Sequence, residues 1–143
     1  MTDRELILEA IEARKMSYSP YSHFMVGAAL LTKDGRVYRG CNIENAAYGP
    51  SNCAERTAFF KAISEGVRDF DTIAIVGGDK DAKPEEMSFA YPCGVCRQVM
   101  IEFCKPEEFR VIVAKNTDEY KVYTLGEILP MGFGPADLGV NKK

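Results

Sequence analysis

Three cysteines and one glutamate carry the chemistry open to this chain. Cys93-Gly-Val-Cys96 sets two thiols three residues apart. On a helix that spacing is about 300° of rotation within one turn, so both sulfurs reach one cation. A C-x-x-C pair alone serves redox sites and structural zinc as readily as catalytic zinc. Forty positions upstream, Cys53-Ala-Glu55 adds a third sulfur and a carboxylate two residues from it. Structural zinc takes four protein ligands, whereas catalytic zinc keeps its fourth position for water or substrate. The number of available ligands is therefore the test.

The remaining candidates are Cys41, Cys104 and the single histidine, His23. Cys104 follows Cys93 on the same predicted helix, roughly 16 Å along its axis, too far to share an ion. Cys41 ends one predicted strand and His23 begins another; neither has a metal-type partner nearby, and each reads as a buried thiol or an ordinary polar contact. The expectation is an open site of three thiolates. Such a site gives Zn²⁺ a net charge of −1, which makes a bound water less acidic than neutral ligands would. Two helix N-termini aimed at the ion would offset that charge. Arg56, three residues after Cys53, either donates hydrogen bonds to the thiolates from a second shell or is a solvated helix charge; spacing leaves both open. Glu55 likewise reads as a catalytic proton carrier or as part of a capping box with Asn52.

The elements that must position these groups follow from periodicity. Apolar Leu6, Ile7, Ala10, Ile11 and Ala13 predict an amphipathic helix over about 2–16. Phe24 to Thr32 and Arg36 to Cys41 predict a hairpin turning at Asp34-Gly35. Ser51 or Asn52 would cap a helix from about Cys53 to Ser64 that stops at Gly66. Phe70 to Val76 reads as a strand, 77–91 as a charged loop, and Pro92-Cys93 as the start of a second metal-bearing helix. Strands at Phe109 to Ala114 and Tyr120 to Thr124, a short helix near Leu125 to Leu129 and a Gly- and Pro-containing tail complete the chain. The order α-β-β-α-β-α-β-β-α predicts an α/β fold, a mixed sheet of about five strands covered by helices in three α-β-α layers.

Bulk properties narrow the function classes. A chain of 143 residues, 46% hydrophobic, suits one domain spanning 1–143. A net charge of −3 lacks the positive field that a nucleic acid-binding surface needs. The longest apolar run, Met25 to Leu31, is too short for a signal core or a membrane span, so a cytoplasmic protein with no membrane partner is expected. Five cysteines, an odd set, point to metal or chemistry in a reducing compartment rather than to cross-links.

Cys53-Ala-Glu55 followed by Pro92-Cys-Gly-Val-Cys96 resembles the zinc nucleobase deaminases, with Cys53 where many of them carry histidine. Over nearly the whole chain the sequence is similar to the small, homotetrameric, all-cysteine cytidine deaminases. Phe24-Met-Val-Gly-Ala-Ala, Asn42-Ile-Glu-Asn-Ala, Asn52-Cys-Ala-Glu-Arg-Thr-Ala, Pro92-Cys-Gly-Val-Cys-Arg-Gln and Leu129-Pro-Met-Gly-Phe-Gly-Pro follow that family's order. The resemblance implies one Zn²⁺ per chain on Cys53, Cys93 and Cys96, with Glu55 as catalytic proton shuttle. It implies that Asn42 and Glu44 bind the ribose, that Ala54 meets the base through its backbone, and that Phe24 packs on the nucleoside. Phe133 would close over a neighbouring subunit's site. The stretch from Asp79 to Glu86 is slightly long for the family.

The implied reaction is hydrolytic: water made acidic by zinc loses a proton to Glu55 and attacks C4 of a pyrimidine, and Glu55 protonates N3 and then the departing amino group. An acidic chain with no phosphate loop or arginine cluster favours a free nucleoside, which the resemblance implies is cytidine or 2′-deoxycytidine, within pyrimidine salvage. Two alternatives stand beside it. A related deaminase of the cytosine-containing antibiotic blasticidin S shares motif and size, and a structural zinc module would recruit Cys41 as fourth ligand.

Overall fold

The computed structural model describes residues 1–140; the last three residues of the predicted 1–143 domain lie outside the described residues. Helix α1 runs Asp3–Arg14 and starts as a capping box: the Glu5 amide donates to Thr2 Oγ1 at 3.1 Å while the Thr2 amide donates to Glu5 Oε1 at 2.7 Å. It buries Leu6, Ile7, Ala10 and Ala13 of the stripe predicted from spacing, with Ile11 only partly buried at its edge. Leu6 and Ile7, both fully buried, contribute about 1.5–3 kcal/mol each.

Strands β1 (Phe24–Thr32) and β2 (Val37–Cys41) form the expected antiparallel hairpin, with Leu31 opposite Val37 and the Gly35 amide donating to the Thr32 carbonyl. Then follow α2 (Ala54–Ser64), β3 (Phe70–Asp79), a 3-10 turn at Pro84–Glu86, α3 (Gly94–Phe103), β4 (Arg110–Ala114), β5 (Tyr120–Thr124), α4 (Leu125–Ile128) and a second 3-10 turn at Pro135–Leu138. The five strands form one mixed sheet in the order β2-β1-β3-β4-β5. Only β3 and β4 pair in parallel, because α3 carries the chain back between them.

Alternation along the strands builds two cores. Leu30, Ile73, Ile75, Val111 and Val113 point to α2, α3 and α4. Ala29, Ala74, Val76, Ile112 and Ala114 point to α1. The result is the three-layer α-β-α arrangement.

Two close contacts register the site-bearing parts on this frame. Gly40 of β2 lies under the first turn of α2, where a Cβ would stand 2.4 Å from the Ala54 carbonyl oxygen and 2.5 Å from the Ala58 nitrogen. No side chain fits there, so the start of α2 rests directly on the sheet. Arg14, from the end of α1, donates to the carbonyls of Met25 (2.9 Å), Gly78 (2.9 Å) and Asp79 (2.6 Å), and so ties together the adjacent ends of β1 and β3. This pairing with β1 carries β3 three residues beyond the predicted Val76.

One local expectation is corrected. Neither Ser51 nor Asn52 caps α2: the N-cap is Cys53, whose side chain makes no capping hydrogen bond, and the Asn52 amide group donates to Thr57 Oγ1 at 3.2 Å. The proposed capping box between Asn52 and Glu55 is absent, because Glu55 is turned into the protein and only 4% exposed.

Candidate active site

Cys53 is the N-cap of α2 and Cys93 is the N-cap of α3; Cys96 sits in the first turn of α3. Both helices therefore present their partly positive ends to the same spot. The Cys53 and Cys93 sulfurs are 3.8 Å apart, those of Cys93 and Cys96 3.5 Å, and all three lie within 4.8 Å of one another. Tetrahedral zinc with sulfur at about 2.3 Å requires sulfurs about 3.8 Å apart, so the triangle fits that ion. The cluster grades from Cys96, buried, through half-buried Cys53 to exposed Cys93, which leaves one side of the triangle open. Neither Cys41 nor Cys104 joins the cluster; Cys104 is buried just past the end of α3, and burial pushes its thiol well up.

The neighbouring Cys96 thiol, more than Arg56 and Cys93, holds the Cys53 thiol well below its ordinary value against its burial. Cys96 is pushed up by the Cys53 sulfur beside it and by its burial. Arg56 turns inward: its Nη2 is 3.4 Å from Cys53 Sγ, and its buried Nε has no hydrogen-bond partner. The hydrogen bond to Cys53 raises the guanidinium further. The side chain is half-buried and faces Cys53 rather than projecting from the helix into solvent.

Glu55 lines the same cleft as Cys53 and Cys93. Burial is the main reason its carboxyl is held up to about 7; the Cys53 thiolate adds to this, while its own backbone hydrogen bond and Arg56 oppose it. A carboxyl poised near neutrality in a cleft is suited to take up and release a proton.

The cleft has a volume of about 760 Å³ and is mostly apolar, in the range of small-molecule sites. It gathers Phe24, Asn42, Glu44 and Ala54 around the cluster. Asn42 is already tied to β1: its Oδ1 accepts the Val26 amide at 2.9 Å and the Ser17 hydroxyl, and its Nδ2 donates to the Phe24 carbonyl at 2.8 Å. One amide hydrogen remains for a ligand. Glu44 accepts the amides of Tyr21 (3.0 Å) and Ser22 (3.1 Å) and the Ser22 hydroxyl. The Ser22 hydroxyl, the largest influence, and these amides hold its carboxyl below the usual range. Ser17 and Ser22, which position these two residues, carried no signal beyond their place in a polar connection. Phe89 and Tyr91, also in the cleft wall, lay in a segment with no periodic pattern. Phe133 does not line the cleft of its own chain; it is 60% exposed, and its carbonyl accepts from Gln98 Nε2 at 2.8 Å.

Two helix starts thus bring three thiols that could hold one metal ion and a buried acid to one cleft of an α/β sheet. Residues 1–113 match the family model for the cytidine and deoxycytidylate deaminase zinc-binding region, and the chain belongs to that family. It is 50% identical over 137 residues to a cytidine deaminase of Halalkalibacterium halodurans, covering 95% of this chain and 98% of the relative. It is 46% identical to one of Sporosarcina psychrophila, covering 96% of each. Among solved structures, the cytidine deaminase of Burkholderia pseudomallei superposes with a TM-score of 0.82 at 47% identity, covering 93% of this chain and all of that one.

Proposed function

We propose that the protein hydrolyses cytidine and 2′-deoxycytidine to uridine and 2′-deoxyuridine, releasing ammonia, as a single domain that holds one Zn²⁺ on Cys53, Cys93 and Cys96. The observation that carries this reading is the sulfur triangle of zinc size beside Glu55, buried in the same cleft. Bound there, the ion would supply the Lewis acidity that makes water acidic near neutral pH. Glu55 takes one proton of the attacking water and gives it to N3 as oxygen bonds to C4, then takes the remaining proton from the new C4 hydroxyl and delivers it to the 4-amino group, so that the C4–N4 bond breaks, ammonia leaves and the C4 carbonyl forms. Arg56 and the two helix starts offset the third thiolate. Phe24 packs on the nucleoside, Ala54 offers its backbone to the base, and Asn42 and Glu44, preset by Ser17 and Ser22, take the sugar hydroxyls. A carboxylate at the sugar repels phosphate, which favours free nucleosides and a place in pyrimidine salvage.

The same reading makes the protein a cytoplasmic homotetramer. In support, Phe60, Val95, Met131 and Phe133 are large apolar side chains at least 48% exposed, a liability that contacts between copies would remove. Phe133, away from its own cleft, is free to close that of a neighbour. Among the described residues no helix is long and apolar enough to cross a membrane.

The test is the ultraviolet loss of cytidine absorbance with and without a zinc chelator, with blasticidin S run in parallel. Chelator-sensitive turnover of cytidine supports the reading; turnover of blasticidin S alone, or none, overturns it.

A further inference from the structure

The cleft wall just before the metal-binding turn is a segment without regular structure, Ser88 to Tyr91. Its backbone is held by one bridge, the Ser88 amide donating to the Gly77 carbonyl at 2.9 Å. Ala90 lies flat on β3: a Cβ on Gly77 would stand 2.6 Å from the Ala90 Cβ. The two aromatics of the segment, Phe89 and Tyr91, are gripped from the far edge of the sheet. Lys121 of β5 places its ammonium 4.5 Å from the Phe89 ring centre, and Lys115, just past β4, places its own at 5.1 Å. The Tyr91 hydroxyl meets that of Tyr123, also on β5, at 3.1 Å, with ring centres 6.0 Å apart.

Three side chains from one edge hairpin thus converge on two aromatics that line the cleft. Ammonium groups within about 6 Å of a ring centre are attracted to its face. A phenol pair adds a directional bond. A loop held by a single backbone bridge needs such contacts to keep one position, and its position sets the width of the cleft next to the zinc ligands.

We propose that Lys115, Lys121 and Tyr123 are positioning residues for substrate: by holding Phe89 and Tyr91 they fix the wall against which the pyrimidine nucleoside binds, and so govern KM without taking part in proton transfer. This rests on the cytidine deaminase reading above.

The experiment measures kcat and KM for cytidine, zinc per chain and thermal midpoint in the full-length protein. The variants are Lys115→Gln/Lys121→Gln, Lys121→Arg and Tyr123→Phe, with the lysine pair also removed in a Phe89→Leu background. The lysine pair variant is expected to raise KM about threefold to tenfold, with kcat within about twofold and zinc content unchanged. Lys121→Arg keeps the cation over the ring and is expected to keep KM. Tyr123→Phe, which removes one oxygen from a half-buried side chain, is expected to raise KM about twofold to fivefold. In the Phe89→Leu background, loss of the lysines is expected to add nothing.

Unchanged KM in both the lysine pair and Tyr123→Phe variants overturns the proposal. So does a lysine effect of equal size without the Phe89 ring, since the charges would then be acting on substrate directly. Turnover by the unsubstituted protein with unaltered variants refutes the positioning role alone. No cytidine turnover by the unsubstituted protein refutes the reading on which it rests.

Discussion

Glu55→Gln removes one charge from a buried place while keeping the side chain's shape, and it separates the cost of this residue from its use. The carboxyl is held at about 7, against an ordinary 4.5, chiefly by burial. An acid that binds its proton more tightly when folded makes stability fall as pH rises through the interval between its unfolded and folded values. Its contribution is intact below about 4.5, declines to about 7, and is constant above that. At about 1.4 kcal/mol per pH unit, the gap costs the folded, zinc-free chain about 3 kcal/mol at alkaline pH. The assay is urea unfolding of the chelator-treated, reduced protein at about pH 4 and about pH 8. The Gln variant is expected to match the parent at the lower pH and to exceed it by about 3 kcal/mol at the higher, which in thermal unfolding corresponds to a rise in midpoint on the order of 10 °C. The zinc-loaded variant is expected to lose about 10²- to 10⁴-fold in kcat. A variant no more stable than the parent at the higher pH, or one turning over cytidine within tenfold of it, would refute the reasoning.

Three further outcomes follow from the same geometry. Arg56→Gln is expected to retain most of the zinc but to move the acidic limb of the kcat profile to higher pH, because the thiolate charge is less offset and the attacking water less acidic; a pH-rate profile reads this directly. Cys96→Ser is expected to abolish stoichiometric zinc, whereas Cys41→Ser and Cys104→Ser leave it at one per chain, as metal analysis of the dialysed proteins checks. Gly40→Ala forces a methyl group onto the Ala54 carbonyl and is expected to cost about 1–3 kcal/mol in denaturant unfolding.

The cysteine cluster of the candidate site was legible because its parts are local. Two cysteines one helical turn apart, and a cysteine with a glutamate two residues on, declare themselves by spacing, and the strand pattern of the hairpin is equally short-range. What escaped depends on partners distant in the chain. Sulfur is a weak acceptor, so nothing in the sequence marked Cys53 as the cap in preference to Ser51 or Asn52. That assignment comes from the way α2 is set down on Gly40. The burial of Glu55 follows from the same contact between helix and sheet, which no capping rule contains. Asn42 and Glu44 are preset by serines about twenty residues upstream, and the Phe89 and Tyr91 wall by an edge strand about thirty residues downstream. Such pairings exist only once the sheet order β2-β1-β3-β4-β5 is formed, and periodicity left that order open.

The central claim is an open metal site of three sulfurs that leaves a position for water beside Glu55. Zinc-edge X-ray absorption on the purified, zinc-loaded protein tests it most directly, since sulfur and oxygen neighbours scatter distinguishably. The account predicts three sulfurs at about 2.3 Å and one lighter oxygen neighbour. Four sulfurs around the ion would contradict it, because the site would then be closed and Glu55 would have no water to deprotonate.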